Sequence, residues 1–238
     1  MPSPYNIALQ ERCTNCSIPR TGRFCDLSAS TIESLDAMKF TSVYPKGSLL
    51  YVEGESARGV FILCSGKVKM TTSSSEGRTF IVRIAEAGEM LGANSAILNA
   101  PYEVTAETLE PCQIASVRRD DFLALLKRHP DACMRVAQQL SDTLLAAQRE
   151  IRSLGLSQTT SEKVAKLILG WCEKGDPTAN GIRLKVLLTH EEIAQMVGTT
   201  RETVTRVLSD FKRKKIINVK GSTVFVPTTR GLQDMVTV

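Results

Sequence analysis

Two hydrophobic periods divide the chain. Up to about residue 118 the apolar runs are short and β-rich, as in Val60-Phe61-Ile62-Leu63 and Phe80-Ile81-Val82-Arg83-Ile84. Glycines punctuate them, seven of the fifteen falling at 47, 54, 59, 66, 77, 88 and 92. Regularly interrupted short strands predict a β sandwich or roll. Ser73-Ser74-Ser75-Glu76-Gly77 reads as a hairpin turn, and Val104-Thr105-Ala106-Glu107-Thr108 and Ile114-Ala115-Ser116-Val117 supply later strands.

From Pro130 to Leu154 there is no further proline and no glycine, and the period becomes helical. Cys133, Ala137, Leu140, Leu144, Ala147, Ile151 and Leu154 are spaced by alternate steps of four and three, an a/d seam of about three heptads. Such a stripe either packs on its own β domain or meets a second copy. Its length and its place between two domains favour a two-stranded dimer contact through Leu140, Leu144, Ala147, Ile151 and Leu154. Gly155 is expected to close this helix.

Residues 161–171 form a further amphipathic pattern, and residues 175–181 read as a surface loop. In residues 188–208, Thr189 followed by Glu192 predicts a capping box, and Gly198 permits a tight turn. Thr199 or Thr200 then caps a second helix with Val204, Val207, Leu208 and Phe211 facing inward. Two short helices joined through glycine are the helix-turn-helix pattern. Ile216-Ile217-Asn218-Val219 and Thr223-Val224-Phe225-Val226, around Lys220-Gly221-Ser222, add a β hairpin or wing. The fold class expected is α+β, organised as a Cys-containing segment (1–27), a β-roll or jelly-roll sensor (28–129), a dimerisation helix (130–156) and a winged helix-turn-helix (157–238).

Composition narrows the function. Hydrophobic residues are 42% and charged residues 23% of 238, ordinary for a globular protein. No apolar run approaches a membrane span, and the opening residues lack the order of a signal peptide, so a cytoplasmic protein with no membrane partner is expected. Reduced thiols are the rule there, which makes the seven cysteines buried, metal-binding or redox-active residues rather than a disulfide framework. Residues 185–238 hold nine basic and five acidic side chains, most of the net +5, as an appended nucleic-acid-binding module would. No catalytic constellation is present, and His190, one of two histidines, suits surface or phosphate contact.

In a helix-turn-helix the second helix enters the major groove. Arg201, Glu202, Thr205 and Arg206 occupy its first exposed turns. Arginine grips guanine O6 and N7 together and a carboxylate accepts from cytosine N4, so these residues can read a short G/C-containing word. Alternatively Glu202 completes a capping box with Thr199, and the arginines contact phosphate alone. Thr189 and Thr200, at the two helix starts, are further candidate DNA contacts, and Lys212 to Lys215 read as a solvated or phosphate-facing run.

The order of these parts resembles the cyclic-AMP receptor protein and fumarate-nitrate reduction (CRP/FNR) transcription regulators. The matches are Gly47 to Gly54, Val60 to Val68, Gly77-Arg78, Gly88-Glu89-Met90-Leu91-Gly92, and Glu192 to Gly198 leading into Arg201-Glu202-Thr203-Val204-Thr205-Arg206. The resemblance implies a cyclic-nucleotide-binding-like β roll, a homodimer, double-stranded DNA with inverted-repeat half-sites nearer TGTGA than TTGAT, and RNA polymerase as a partner. Cyclic-AMP binders of the family carry a Gly-Glu-Leu turn and a later Arg-Ser pair. Here Gly92-Ala93-Asn94 and Tyr102-Glu103 stand in those places, so cyclic AMP is not the expected effector. The oxygen-sensing branch holds an iron-sulfur cluster on three N-terminal cysteines and one from the β roll. That branch implies Cys13, Cys16, Cys25 and Cys112 as ligands of a [4Fe-4S] cluster, with structural zinc as the rival. Cys64, Cys133 and Cys172 read as core or interface residues. A thiol redox reading of Cys13-Thr14-Asn15-Cys16 lacks the βαβ setting such pairs have.

Overall fold

Alternation along two central strands organises the first half of the protein. The computed structural model describes residues 12–16, 23–156 and 159–236. Within these a 3₁₀ turn at Cys13–Asn15 precedes α1 (Ala29–Met38), β1 (Phe40–Tyr44), β2 (Leu49–Tyr51), β3 (Gly59–Ser65), β4 (Lys67–Ser73), β5 (Thr79–Glu86) and β6 (Met90–Leu91). Then come α2 (Ala93–Leu98), β7 (Thr105–Thr108), β8 (Cys112–Arg118), α3 (Arg119–Arg128) and the long α4 (Pro130–Leu156). The strands form two antiparallel four-stranded sheets, ordered β1-β8-β3-β6 and β2-β7-β4-β5. Gly77 turns the β4–β5 hairpin with φ +76°, as its place after the serine run predicts.

Successive residues of β3 and β8 point to opposite faces, and both faces are buried. Leu63, Cys112 and Ile114 pack between the sheets with Tyr51, Val68, Met70, Leu91, Tyr102 and Ala106. Val60, Ile62, Ala115 and Val117 pack outward against Phe24, Leu35, Phe122, Leu125, Ala132 and Val136, which come from the segment before α1 and from α1, α3 and α4. The roll thus carries two cores that share a single sheet.

The start of α1 is tied to the start of α4. Asp131 accepts from the Ser28 backbone N–H at 2.9 Å and from the Thr31 hydroxyl at 2.8 Å, and Thr31 also meets His129 Nδ1 at 3.0 Å. The Ser28 N–H, followed by the Thr31 and Ser28 side chains, holds the Asp131 carboxyl down to about 2.

The chain divides into two compact units within α4, one ending at Ala146 and the other starting at Ala147. The second contains α5 (Thr160–Cys172), β9 (Asp176–Thr178), β10 (Gly181–Lys185), α6 (His190–Val197), α7 (Arg201–Arg213), β11 (Asn218–Lys220), β12 (Thr223–Val226) and α8 (Arg230–Gln233). Its core joins Val164, Ile168, Ile193, Val197, Val204, Phe211, Ile217 and Val226. The wing is larger than a hairpin, because β9 and β10 extend it to a sheet ordered β11-β12-β10-β9. Residues 175–181, read as a loop, therefore include an edge strand. Its three residues are exposed, so no apolar alternation marks it, and Pro177 is tolerated at the edge. Gly155 does not close α4, whose last turn runs to Leu156. Among the described residues no helix is long and apolar enough to cross a membrane.

Replacing Asp131 with Asn removes the charge from two hydrogen bonds and is expected to destabilise the first unit by about 1–2 kcal/mol at pH 7. The carboxyl is depressed in the folded state, so its contribution is complete above the unfolded value near pH 4 and fades as pH falls toward about 2. Urea unfolding followed by circular dichroism should show a gap between wild type and Asp131→Asn that is flat from pH 7 to about 5 and narrows below about 4.

Candidate nucleic-acid interface and thiol cluster

The inward face of α7 decides what its outward face can do. Val204, Val207, Leu208 and Phe211 are buried, so Arg201, Glu202, Thr205 and Arg206 are all left exposed on the opposite side. Thr189 and Glu192 form the predicted capping box at the start of α6, and Gly198 ends that helix in the left-handed region at φ 69°. Thr200, not Thr199, caps α7 by accepting from the Thr203 N–H. Glu202 is therefore no capping-box partner, and its carboxylate stands on the exposed face beside Arg201 and Arg206.

The three threonines fare differently from the charged residues. The hydroxyls of Thr189 and Thr200 are engaged in the two caps. Thr205 donates to the Arg201 carbonyl oxygen at 2.9 Å and meets His190 Nδ1 at 2.9 Å, linking α7 to the first turn of α6. Sequence reasoning gave His190 a surface or phosphate role and missed this link. In the basic run, Asp210 pairs with Arg213 and, at 2.9 Å, with Lys214, and Lys214 before Arg213 holds the Asp210 carboxyl below its usual range.

In the β roll, Gly92 starts α2 in the left-handed region at φ 78°. A Cβ there would lie 2.9 Å from Tyr102 Cε1. The Tyr102 hydroxyl donates to the Gly59 carbonyl oxygen at 2.8 Å, and its ring stacks on Tyr51 with centroids 4.0 Å apart. Burial pushes both phenols up. A phenol ring thus packs beside the turn where the family resemblance sets a phosphate. Asn94 donates to Glu103 at 2.6 Å, which holds an acidic group at this rim.

The cysteines divide between the two cores. Cys13, Cys25 and Cys64 pack against the outer core, under α1, α3 and α4. Cys13 donates its backbone N–H to Asp36 Oδ1 at 2.8 Å, and Asp36 pairs with Lys39 at 3.0 Å. The Lys39 side chain is only 5% exposed and also donates to Thr41 Oγ1 at 3.2 Å. Burial pushes the Cys13 thiol up to about 12 and the Cys64 thiol up to about 11. The Lys39 charge opposes the rise at both, and Cys16 lies near enough to add to it at Cys64. Cys112 is elsewhere. Fully buried between the sheets, it donates to the carbonyl oxygens of Glu110 at 3.1 Å and Lys67 at 3.4 Å, and burial pushes it up to about 11. Cys112 thus faces the inter-sheet core while Cys13 and Cys25 lie by the outer one, so the structure does not bring the four expected ligands Cys13, Cys16, Cys25 and Cys112 together. Among the described residues, no three Cys, His, Asp or Glu side chains stand close enough to hold an ion. Cys172 is buried in the second unit and Cys133 is exposed on α4.

The α4 seam changes role along its length. Ala132 and Val136 are buried and Leu140 half-buried against the roll's outer core. Beyond them Leu144 is 60% exposed and Ile151 70%, and Ala147 is also exposed. Leu145 and Met134 widen the apolar surface. The Leu154 side chain lies outside the described residues.

Family comparison agrees with both units. Residues 41–129 match the model described as cyclic nucleotide-binding domain, and residues 162–235 match the Crp-like helix-turn-helix domain. The CRP-like cAMP-activated global transcriptional regulator of Mycobacterium tuberculosis is 27% identical over 216 residues, covering 90% of this chain and 96% of that protein. Among solved structures, FixK2 from Bradyrhizobium japonicum superposes with a TM-score of 0.74 at 21% identity, covering 84% of this chain and 98% of that one. The c-di-GMP responsive global regulator CLP of Xanthomonas campestris gives 0.75 at 22% identity, covering 84% and 100%. With its β roll, its long helix and its exposed arginines on the second helix of a winged helix-turn-helix, the chain belongs to the CRP/FNR family of DNA-binding transcription regulators.

Proposed function

We propose that this regulator is a homodimer that reads an inverted repeat and takes its signal at the N-terminal cysteines. The observation that carries the DNA reading is the exposed face of α7, where Arg201, Glu202 and Arg206 stand together with no capping duty. Arg201 and Arg206 are assigned to guanine edges and Glu202 to cytosine N4, in half-sites of the TGTGA kind about one helical turn apart. The exposed Leu144, Ala147 and Ile151 meet the same face of a second copy, the usual fate of an a/d stripe that its own domain leaves uncovered. Such a dimer works in the cytoplasm, with RNA polymerase as its partner at promoters.

The effector is not cyclic AMP. Tyr102 packs against Gly92 and Tyr51 in the place of the family's phosphate pocket, and Glu103 supplies negative charge where a cation is needed. A phosphate buried without a cation is strongly disfavoured. The relatives' cyclic-AMP activation is thus not carried over. The proposed signal site is the N-terminal cysteines Cys13, Cys16 and Cys25, where an oxygen- or redox-labile [4Fe-4S] cluster, with static zinc as the rival, would require the thiols to draw together, since among the described residues no three metal-ligating side chains stand close enough to hold an ion. When bound, a cluster supplies a redox-sensitive link between the N-terminal segment and the roll. This chain's own part is to bring the segment onto α1 through Cys13 and Asp36 and to keep the Lys39 cation beside it.

Arg201→Ala should weaken operator binding by about 1–3 kcal/mol and relax preference at one G·C pair, whereas Lys212→Ala should weaken all sequences alike and lower the salt slope by about 1. Competition gel shifts that leave Arg201→Ala unchanged in affinity and preference would remove it from the readout. Leu144→Glu and Ile151→Glu bury charge on the seam and should each give monomers by light scattering, with operator binding lost. An intact dimer in both variants would move the interface off α4. Calorimetric titration with cyclic AMP at micromolar concentration should show no saturable heat, and a saturable isotherm would overturn the exclusion.

A further inference from the structure

Thr205 stands among the charged side chains of α7 but keeps no hydroxyl proton for a base. Its Oγ1 lies 2.9 Å from the Arg201 carbonyl oxygen and 2.9 Å from His190 Nδ1. A carbonyl oxygen can only accept, so the single hydroxyl proton goes to Arg201. His190 then donates at Nδ1, which sets its neutral ring in the Nδ1–H tautomer. The ring comes from the neighbouring helix: Thr189 caps α6, His190 is its first residue, and α6 and α7 share one core through Ile193, Val197, Val204 and Val207.

Both bonds act on one torsion. Threonine in a helix divides between two χ1 rotamers, because its hydroxyl can bond a carbonyl one turn back. Rotation by about 120° to the other rotamer would carry the methyl into the hydroxyl's place. The His190 and Arg201 bonds together hold the hydroxyl against the two helices. What the exposed Thr205 side chain turns outward is therefore its Cγ2 methyl. Thr205 follows Arg201 by one helical turn and adjoins Arg206, so this apolar tip lies within the face already assigned to base edges. In the major groove the feature that matches a methyl is the C5-methyl of thymine.

We infer that Thr205 reads a thymine C5-methyl through its own methyl, with His190 as the positioning residue that holds it in that role; this rests on the proposed entry of α7 into the major groove. It adds a T·A pair to the word read by Arg201, Glu202 and Arg206, recognised by apolar contact rather than by a hydrogen bond.

The test is competition binding to an inverted-repeat duplex that the wild-type protein selects from a random pool. Each thymine is replaced in turn by uracil, which removes only the C5-methyl, and the folding of every variant is checked by circular dichroism. Wild type should lose about 4-fold in affinity at one thymine of each half-site, as the loss of one buried methyl predicts. Thr205→Val keeps a methyl without the hydroxyl and should show the same thymine-to-uracil ratio. Thr205→Ser should bind the two duplexes alike. His190→Ala frees the torsion and should shrink the ratio, and His190→Asn, whose side-chain N–H stands in for Nδ1–H, should restore it. A merely structural role for His190 would weaken all duplexes and leave the ratio unchanged, which would remove His190 from the assignment. A wild type indifferent to uracil at every thymine overturns the proposal, as does a folded Thr205→Ser protein that still prefers thymine. Failure to select any duplex overturns the placement of α7 on DNA itself. That result is distinct from a selected duplex whose thymines all tolerate uracil.

Discussion

The two-residue repeat of β3 and β8 is the constraint on which the sensor unit depends. Both strands sit inside a sheet whose two faces are buried, so every side chain on them has one of two destinations. One parity fills the space between the sheets, and the other supplies the floor on which α1, α3 and the first turns of α4 lie. A register slip of one residue would exchange the two sets. It would turn Leu63 and Ile114 toward the helices and leave Val60 and Ala115 between the sheets. The same parity separates the cysteines, setting Cys64 with the N-terminal thiols and Cys112 among aromatic and aliphatic neighbours.

The tyrosine packing decides the chemistry available at the Gly92 turn. Gly92 still takes the left-handed conformation and still opens a short helix. Beside it, a phenol held by the Gly59 carbonyl and stacked on Tyr51 makes that region part of the inter-sheet core. Here the space beside Gly92 is given to apolar burial of two rings, which is favourable where burial of an unpaired phosphate would not be.

In the second unit the logic is burial by elimination. Four apolar side chains fix the rotation of α7 about its axis, and that rotation alone selects which residues face outward. Local hydrogen bonds then sort the outward residues further. The threonines are drawn into caps and the α6–α7 link, while the arginines and Glu202 are longer, charged and outside those local networks. The α4 stripe follows a similar rule in one dimension. Its first apolar turns are covered by the roll and its later ones are not, so one uninterrupted pattern serves two surfaces.

The sequence by itself determined most features that depend on neighbours within a few positions. Glycine punctuation marked the short strands, the seam marked α4, and Thr189 with Glu192 marked the start of α6, because hairpins, helix faces and caps are local physics. The charge and spacing of Arg201, Glu202 and Arg206 were legible for the same reason. β9 was not, since an exposed edge strand buries nothing and leaves no periodic trace. Nor was the choice between Thr199 and Thr200, which turns on the φ and ψ of a single residue. The cysteine partition lay further out of reach. Cys64 and Cys112 both read as strand residues, and whether each points to one face or the other depends on how distant strands pair and where β3 slips its register. Only the tertiary structure decided that, because a strand's two faces acquire different surroundings only after the sheets and helices have packed.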